Sequence, residues 1–305
     1  MKVLVIGGTG FIGQHVIGRL VKADHTVFVP TRRLPKAREL LVYPTVTVLE
    51  RDVHDDAALD EIVQGMDAVV NLVGVLHSSR GEPYGAQFAR AHVELPKRIA
   101  QACVRLGVPR LLHVSALGAS TTGSSQYLRS KGAGEQELNR ICADSNTFQI
   151  TIFRPSVVFG PGDNFMNMFA RLARYLPVLP LAGSAAKMQP VYVGDVAQAI
   201  VAALGRSDSC GQVYELAGPR VYTLGELVSL AAKWSGRPRS VVSLPMSIGR
   251  LQARLFELLP GEPLMSRDNL DSLQTDNILS ASVPQPVLGI VPTPLEAIAP
   301  SYLKR

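Results

Sequence analysis

Short apolar runs rich in β-branched residues alternate with longer amphipathic segments over the first half of the chain. Near-continuous apolar runs are typical of parallel strands buried on both faces, and apolar positions spaced three and four residues apart are typical of helices. The predicted strands are Val3–Ile6, Val27–Val29, Val46–Leu49, Ala68–Val73, Leu111–Val114 and Ile150–Phe153. The predicted helices are Phe11–Lys22, Arg33–Leu41, Asp56–Val63, Gln87–Leu106 and Tyr127–Ile141.

This alternation predicts an α/β fold with a doubly wound parallel sheet of the Rossmann type, because strand–helix–strand crossovers are right-handed. The pattern changes after Arg154-Pro155, where proline and glycine become denser. We therefore predict a dinucleotide-binding Rossmann domain over residues 1–155 and a smaller C-terminal α/β domain, for a substrate or partner, over 156–305. A later strand–helix pattern, Val191–Leu204, indicates that residues 190–218 return to the main sheet.

A glycine-rich turn joins the first predicted strand to the first predicted helix. Its glycines fit G-x-G-x-x-G from Gly8 and G-x-x-G-x-x-G from Gly7. Such a turn lets the backbone approach a pyrophosphate, and the free N–H groups of the following helix point at the anion. Glycines also mark ordinary tight turns, but the strand before and the helix after favour a dinucleotide site. The residues expected to hold the pyrophosphate are Gly7, Thr9, Gly10, Phe11, Ile12 and Gly13.

The end of the second strand indicates which nicotinamide cofactor is preferred. An acid there would bind the ribose 2′-hydroxyl, whereas an arginine would accept a 2′-phosphate. Arg32 and Arg33 occupy this position, and no acid occurs between Asp24 and Glu39. We therefore expect NADP(H) to be preferred over NAD(H), the alternative being that these arginines are solvated surface residues. Further expected contacts are Asp52 and Val53 at the adenine edge, and Leu72, Val73 and Gly74 near the ribose and pyrophosphate.

Tyr127 and Lys131 stand one helical turn apart and so share a face of the predicted helix. A free phenol has a pKa of about 10, and a neighbouring ammonium favours its ionised form. The pair therefore predicts a proton-transfer site in which Lys131 also holds the nicotinamide ribose. A Y-x-x-x-K spacing is often only a surface pair, but this one follows the fifth predicted strand, and ligands bind at the carboxyl ends of such strands.

Composition and charge exclude several other classes of protein. The net charge is +6, yet the basic residues are scattered, so we expect no nucleic acid partner. The cysteines are too dispersed for a disulfide framework or a zinc site and suggest a reducing, cytoplasmic compartment; they are Cys103, Cys142 and Cys210. We expect no signal peptide, because a strand begins at the second residue, no membrane-spanning segment and no metal.

With these residues the chain resembles the short-chain dehydrogenase/reductase superfamily over nearly its full length. The nearer resemblance is to an atypical branch that includes the NADPH-binding accessory subunit of respiratory complex I and its bacterial relatives. The stretches that carry the likeness are His113–Ala119, Tyr127–Lys131 with Gly132-Ala133-Gly134-Glu135 after it, Phe153–Pro161 and Gln189–Ala197. The resemblance implies that Arg154–Val158 passes beside the nicotinamide, with Pro155 against the ring and Val157 and Val158 as further contacts.

One departure from the family pattern concerns the hydroxyl that polarises the substrate oxygen. The resemblance puts this position on Leu117, so Ser115 is the candidate third catalytic residue beside Tyr127 and Lys131. The alternatives are Ser120, Thr121, Thr122, Ser124 and Ser125. Two functions follow: an NADPH-dependent oxidoreductase or epimerase-type enzyme of unknown substrate, or a non-catalytic accessory or assembly protein of the respiratory NADH:quinone oxidoreductase, peripheral to the inner membrane.

Three further features carry weaker predictions. His77, Tyr84 and Gln87 fall in a loop after the fourth strand that would roof the nicotinamide or lie on the surface. His113, inside an apolar strand, is expected to be a hydrogen-bonded core residue. An apolar stripe at helical spacing, with Arg250 and Arg254 on another face, is expected to pack in the core or the substrate pocket; docking on a partner or a membrane surface is the alternative. The stripe is Ile248, Leu251, Leu255, Leu258 and Leu259.

Overall fold

The computed structural model of the protein describes residues 1–258, 261, 263–280 and 286–304. Its strands are β1 (Lys2–Ile6), β2 (Thr26–Thr31), β3 (Val46–Glu50), β4 (Ala68–Asn71), β5 (Arg110–Val114), β6 (Gln149–Pro155), β7 (Val158–Phe159), β8 (Val178–Ala182), β9 (Lys187–Met188), β10 (Val191–Tyr192), β11 (Val213–Leu216), β12 (Tyr222–Thr223) and β13 (Ser240–Leu244). Its α-helices are α1 (Phe11–Lys22), α2 (Asp56–Val63), α3 (Ala86–Phe88), α4 (Leu95–Leu106), α5 (Gln126–Ala143), α6 (Phe165–Tyr175), α7 (Val193–Leu204), α8 (Leu224–Trp234), α9 (Met246–Phe256), α10 (Arg267–Ser272) and α11 (Leu295–Leu303).

Seven parallel strands form the main sheet in the order β11-β6-β5-β4-β1-β2-β3. The order reverses between β1 and β4, and ligands of doubly wound sheets bind at such a switch point. One apolar core joins the sheet to α1 and α7, and a second joins its other face to α2, α4 and α5. The predicted Rossmann fold is therefore confirmed.

Two predicted helices differ from the observed ones. The Arg33–Leu41 segment forms a 3₁₀ helix over Leu34–Leu40 rather than an α-helix. The predicted Gln87–Leu106 helix contains a π-helical segment, Ala89–Glu94, before α4. Pro96 explains the interruption, because it cannot donate the α-helical hydrogen bond to the residue four positions earlier, which is His92.

The second half of the chain contributes to two places. β10 pairs with β7 in a small sheet of its own, whereas β11 pairs with β6 and completes the main sheet. Separate two-stranded pairs, β8 with β13 and β9 with β12, surround a third apolar core formed largely by α6, α8 and α11. No helix in the described part of the chain is long and apolar enough to span a membrane.

The predicted packing of the apolar stripe in the core or pocket is wrong. Ile248, Leu251, Leu255 and Leu258 are 45%, 60%, 56% and 76% exposed. The buried residues of α9 are instead Gly249 and Ala253. A helix presents one face to its support, and here the small residues occupy that face. Leu259 lies outside the described residues.

Candidate functional site

The glycine turn is shaped by its backbone. Gly7 has a φ of +84°, which favours glycine, and its carbonyl accepts a hydrogen bond of 3.0 Å from the N–H of Gly10, the N-cap of α1. A methyl group at Gly13 would lie 2.5 Å from the Gly8 oxygen, so α1 packs directly on the turn. The first N–H groups of α1 have no partner within the helix. This geometry suits an anion held by Thr9, Phe11 and Ile12.

A basic cleft opens beside the turn. It has a volume of about 470 Å³ and is lined by Ile6, Gly7, Thr9, Pro30, Thr31, Arg32, Arg33, Lys36, Arg51, Val53, His54, Val73 and Leu95. None of these lining residues, all in the described part of the chain, is acidic. Arg32 and Arg33 lie where the sequence predicted them, whereas Arg51 and His54 were missed. Both come within four residues after the end of β3, so a search for basic residues after the third strand would have found them.

The other adenosine-side predictions lie around this cleft. Val53 and Val73 line it, and the backbone of Leu72 and Val73 lies 3.1 Å from where a methyl group at Gly7 would be. Asp52 does not line the cleft, because its carboxylate turns back to accept the N–H of His54 at 3.0 Å. His54 rather than Asp52 therefore lines this side of the cleft.

Lys131 joins three elements at the carboxyl end of the sheet. It is 3% exposed, and its Nζ donates to the carbonyl of Val114, at the end of β5, at 3.2 Å. A methyl group at Gly74, which follows β4, would lie 3.4 Å from the same Nζ. Burial lowers the pKa of Lys131 to about 8. The ammonium thus lies at the carboxyl ends of β4 and β5.

Tyr127 lies in an aromatic pocket formed by the segment before α4. Its ring packs edge-on against Phe88, at 6.0 Å between centroids, and against His92, at 5.5 Å. Burial raises the pKa of Tyr127 to about 12. The phenol therefore stays protonated at neutral pH in the protein without a ligand, and in that form it can donate a proton.

His92 is a site residue that the sequence analysis missed. The N–H of Val75 donates to His92 Nε2 at 3.0 Å, and His92 Nδ1 lies 2.8 Å from Ser130 Oγ, which itself donates to the Tyr127 carbonyl. These partners assign the proton to Nδ1. Burial, and then the charge of Lys131, lowers the pKa of His92 to about 2, so the ring is neutral. His92 thus links the loop after β4 to the helix that carries Tyr127.

A segment from the second half of the chain fixes the start of α5. The carboxylate of Asp268 accepts the N–H of Gln126 at 2.7 Å and that of Tyr127 at 3.1 Å. Ser272 donates to Ser125, the N-cap residue of α5, at 2.8 Å. Two orphan donors of the helix are thus satisfied by a residue far away in sequence. Nothing in the local sequence around Tyr127 indicates this contact.

The same segment reaches the strand ends beside the expected nicotinamide position. Asn277 Oδ1 accepts from Ser156 Oγ at 2.5 Å and from the N–H of Val157 at 3.1 Å. Its side-chain nitrogen lies 3.4 Å from the carbonyl of Leu117, whose own N–H donates to Pro155 at 2.9 Å. Residues 266–280, which we call the strap, therefore hold together the elements that carry Tyr127, Leu117 and Val157.

The hydroxyls near the end of β5 are engaged unequally. Ser120 and Thr122 pair with each other at 3.1 Å, Ser124 pairs with Thr275 at 3.0 Å, and Ser125 caps α5. Ser115 is 3% exposed, and its Oγ finds no partner among the described residues. Leu117 is also 3% exposed and supplies no polar atom from its side chain.

His113 is not the fully hydrogen-bonded core residue that the sequence predicted. Its Nδ1 lies 3.1 Å from Asn71 Nδ2, but its buried Nε2 has no partner in the part of the chain that the structure describes. Burial, and then the charge of Lys131, lowers its pKa to about 3. The ring therefore remains neutral and leaves the positive charge of the site to Lys131.

The loop after β4 is tied to α5. Gln87 Oε1 accepts from Ser78 and from the N–H of Ser79 at 2.8 and 2.9 Å, so its amide holds the loop. The N–H of Gly81 donates to Gln126 at 3.2 Å, beside Tyr127. His77 and Tyr84 are half-buried in the same loop. No group of three or more residues that could hold a metal ion occurs in the described ranges.

Comparison with known proteins agrees with this geometry. Residues 3–217 match the model of the NAD dependent epimerase/dehydratase family. The chain is 33% identical over 307 residues to the mouse protein "NADH dehydrogenase [ubiquinone] 1 alpha subcomplex subunit 9, mitochondrial", covering 99% of this chain and 79% of that protein. It is 30% identical to the ceramide reductase of Caulobacter vibrioides, covering 80% of this chain and 73% of that protein.

The fold is likewise that of solved members of this structural class. The crystal structure of Pal from Bacillus thuringiensis superimposes with a TM-score of 0.79, at 16% identity, over 99% of each chain. The family match covers more than half of the chain and includes the glycine turn, the sheet and the Tyr127–Lys131 helix. The chain therefore belongs to the NAD-dependent epimerase/dehydratase family of Rossmann-fold proteins.

Proposed function

We propose that this protein binds NADPH and reduces a carbonyl group with it, with Tyr127 as the proton donor. The observation that carries the proposal is the position of Lys131. Its buried ammonium lies beside Gly74 and Val114 at the carboxyl ends of β4 and β5, one helical turn from Tyr127. A residue buried there solely for packing would not carry a charge, because burying an ammonium is costly.

The basic cleft supports NADPH over NADH. Arg32, Arg33 and Lys36 line it, as does Arg51, whose guanidinium is also paired with Glu61 at 2.9 Å. A 2′-phosphate would bring negative charge to these cations, and one charge-assisted hydrogen bond contributes about 1.5–3 kcal/mol. The free ribose hydroxyl of NADH offers no such charge, and the described lining contains no carboxylate to accept its proton.

The direction of the pKa shifts favours reduction. The nicotinamide would supply a hydride to the carbonyl carbon, and the carbonyl oxygen would then gain negative charge and need a proton. Tyr127, protonated because burial raises its pKa to about 12, can give that proton. The ammonium of Lys131 would stabilise the resulting phenolate, and Ser115 is the hydroxyl available to hold the substrate oxygen.

A second function is favoured by the side chain at position 117. Leu117 is buried and apolar where catalytic relatives place a hydroxyl, and complex I subunits are among the most similar relatives. In this alternative NADPH is a structural ligand, and the protein serves the respiratory NADH:quinone oxidoreductase from a position peripheral to the inner membrane. The nucleotide site is the same in both functions.

The test compares Tyr127→Phe with Tyr175→Phe, a control at a tyrosine that is 81% exposed. NADPH affinity is measured by fluorescence, and NADPH oxidation is measured with quinones, ketones, nucleotide sugars and long-chain 3-oxo compounds. We expect Tyr127→Phe to keep the affinity and to lose turnover by about 100-fold or more, because only the transferable proton is removed. Turnover at the wild-type rate in this variant rejects the role of Tyr127, and a wild type that is inert across the panel favours the accessory protein.

A further inference from the structure

We propose that the exposed face of α9 docks on an anionic phospholipid surface. The exposed face consists of Ile248, Leu251 and Leu255 of α9, together with Leu258 in the turn that follows the helix. These side chains are large and apolar, and they are about half exposed or more. The proposal concerns where the protein binds and does not depend on its catalytic activity.

The exposure of these side chains does not result from loose packing of α9 on the protein. The opposite side of α9 is pressed on its support: a methyl group at Gly249 would lie 2.3 Å from the Ala182 side chain, and Ala253 is fully buried. Leu270 and Ala182 complete that small apolar cluster. Rotation of α9 to bury its leucines would push them into Ala182, where a Gly249 methyl group already has no room. The outward orientation is therefore fixed by packing.

Positive charge borders the exposed face. Arg254 follows Leu251 by three residues and so lies next to it on the helix surface. Arg250 is one turn earlier and pairs with Asp271 of α10 at 3.0 Å. α9 itself contains no acidic residue, and Glu257 after it is paired with Arg267 at 2.7 Å. An apolar stripe edged by arginines suits the interface of a bilayer with anionic headgroups.

The size of the face argues against a second copy of the chain as the occupant. A helix of 11 residues is about 16 Å long and about 10 Å wide. Stable protein interfaces bury about 800 Å² on each partner, several times this footprint. A bilayer needs no matching surface and accepts a single helix face, with weak and reversible binding.

Docking through α9 would also orient the candidate site. α10 contacts both α9 and α5, and Asp268 of α10 holds the N-terminus of the helix that carries Tyr127. The reacting end of the cleft would then lie one helix away from the membrane surface.

The experiment is vesicle co-sedimentation of the full chain at low salt. Neutral phosphatidylcholine vesicles are compared with vesicles containing about one third phosphatidylglycerol. The variants are the double substitution Leu251→Ser/Leu255→Ser and the single substitution Arg254→Glu. The matched control is Leu41→Ser/Val42→Ser, at leucine and valine residues that are 63% and 73% exposed elsewhere on the surface. Because all these side chains are exposed, NADPH affinity and thermal unfolding verify that each variant is folded.

We expect the wild type and the Leu41/Val42 control to bind anionic vesicles, and the Leu251/Leu255 variant to lose about tenfold or more of that binding. Arg254→Glu should weaken it as well, and added salt should act in the same direction. Three results overturn the proposal: no sedimentation of the wild type, equal binding of neutral vesicles, or undiminished binding by the Leu251/Leu255 variant. Self-association that the Leu251/Leu255 variant abolishes, without vesicle binding, would instead identify a second copy as the occupant.

Discussion

At the adenosine end of the cleft, the glycine turn and the cations after β2 and β3 all come from residues 7–54. At the proposed reacting end, Asp268 of the strap accepts the N–H of Tyr127, and His92 of the π-helical segment contacts Ser130, between Tyr127 and Lys131. Asn277 of the strap holds the nearby backbone of Val157. The first end is encoded by neighbouring residues and a backbone turn. The second is assembled by side chains that approach one another only in the folded chain.

The two ends should therefore be sensitive to different substitutions. The glycine turn depends on its backbone geometry, so a side chain added within the turn should disrupt it. The start of α5 depends on the distant residue Asp268, so removal of Asp268 should destabilise the start of α5 and leave the glycine turn intact. The strap contacts three separate parts of the molecule, namely α5, the end of β5 and the segment after β6.

The largest effect is expected from Gly13→Ala. Its methyl group would lie 2.5 Å from the Gly8 oxygen, so α1 must move away from the turn. We expect a loss of roughly 2–3 kcal/mol in the free energy of unfolding and no measurable NADPH binding. Gly18→Ala in the same helix is the control: its nearest neighbour would be 3.7 Å away, and it should gain about 0.5–1 kcal/mol. Urea unfolding and NADPH fluorescence measure both, and wild-type affinity in Gly13→Ala would remove the turn from the site.

Arg32→Asp should change which cofactor is preferred. It replaces a cation of the cleft with an anion where we propose the 2′-phosphate. The ratio of NADPH to NADH affinity should fall by about 10- to 100-fold. Arg38→Asp, at an exposed arginine outside the cleft lining, is the control and should leave the ratio unchanged. Titration of both nucleotides decides the matter, and an unaltered ratio in Arg32→Asp means that Arg32 is a solvated surface residue.

Acid should destabilise the reacting end through its buried histidines. The pKa of His92 is about 2 in the folded chain and about 6.5 in the unfolded one, so the unfolded chain binds more protons between these pH values. Stability must therefore fall as the pH falls below about 6.5, by up to about 1.4 kcal/mol per pH unit for this residue. His92→Asn should have a shallower dependence between pH 6.5 and pH 4.5 in urea unfolding. Parallel curves for the two proteins would contradict the assignment.

The smallest effect is expected from Asp268→Ala. Removal of the carboxylate leaves the N–H groups of Gln126 and Tyr127 without their acceptor, a loss of about 1 kcal/mol for such a helix cap. Hydrogen exchange should quicken at the start of α5, while NADPH affinity stays unchanged. Asp268→Asn keeps one acceptor oxygen but turns an NH2 group toward the other N–H, so it should restore only part of the protection. A tenfold loss of NADPH affinity in Asp268→Ala would show that the two ends are not independent.

The main sheet, the glycine turn and the spacing of Tyr127 and Lys131 could all be predicted from the amino-acid sequence. Each depends on local rules: apolar strands alternate with amphipathic helices, glycine permits the φ of +84° at Gly7, and residues four apart share a helix face. The resemblance added the expectation for Leu117, which the structure buries beside the strap.

The contacts around Tyr127 and Lys131, in contrast, could be seen only in the folded chain. Asp268 lies 141 residues from Tyr127, and no local pattern specifies a contact over that separation. His92 lies in the π-helical segment before Pro96. Its ring links the loop after β4 to α5 through hydrogen bonds with Val75 and Ser130. The face of α9 that is buried was also undetermined, because a helix with leucines on one side and Gly249 and Ala253 on the other can pack by either. Ala182, on which α9 packs, leaves room only for small side chains, and the leucines of α9 therefore face outward.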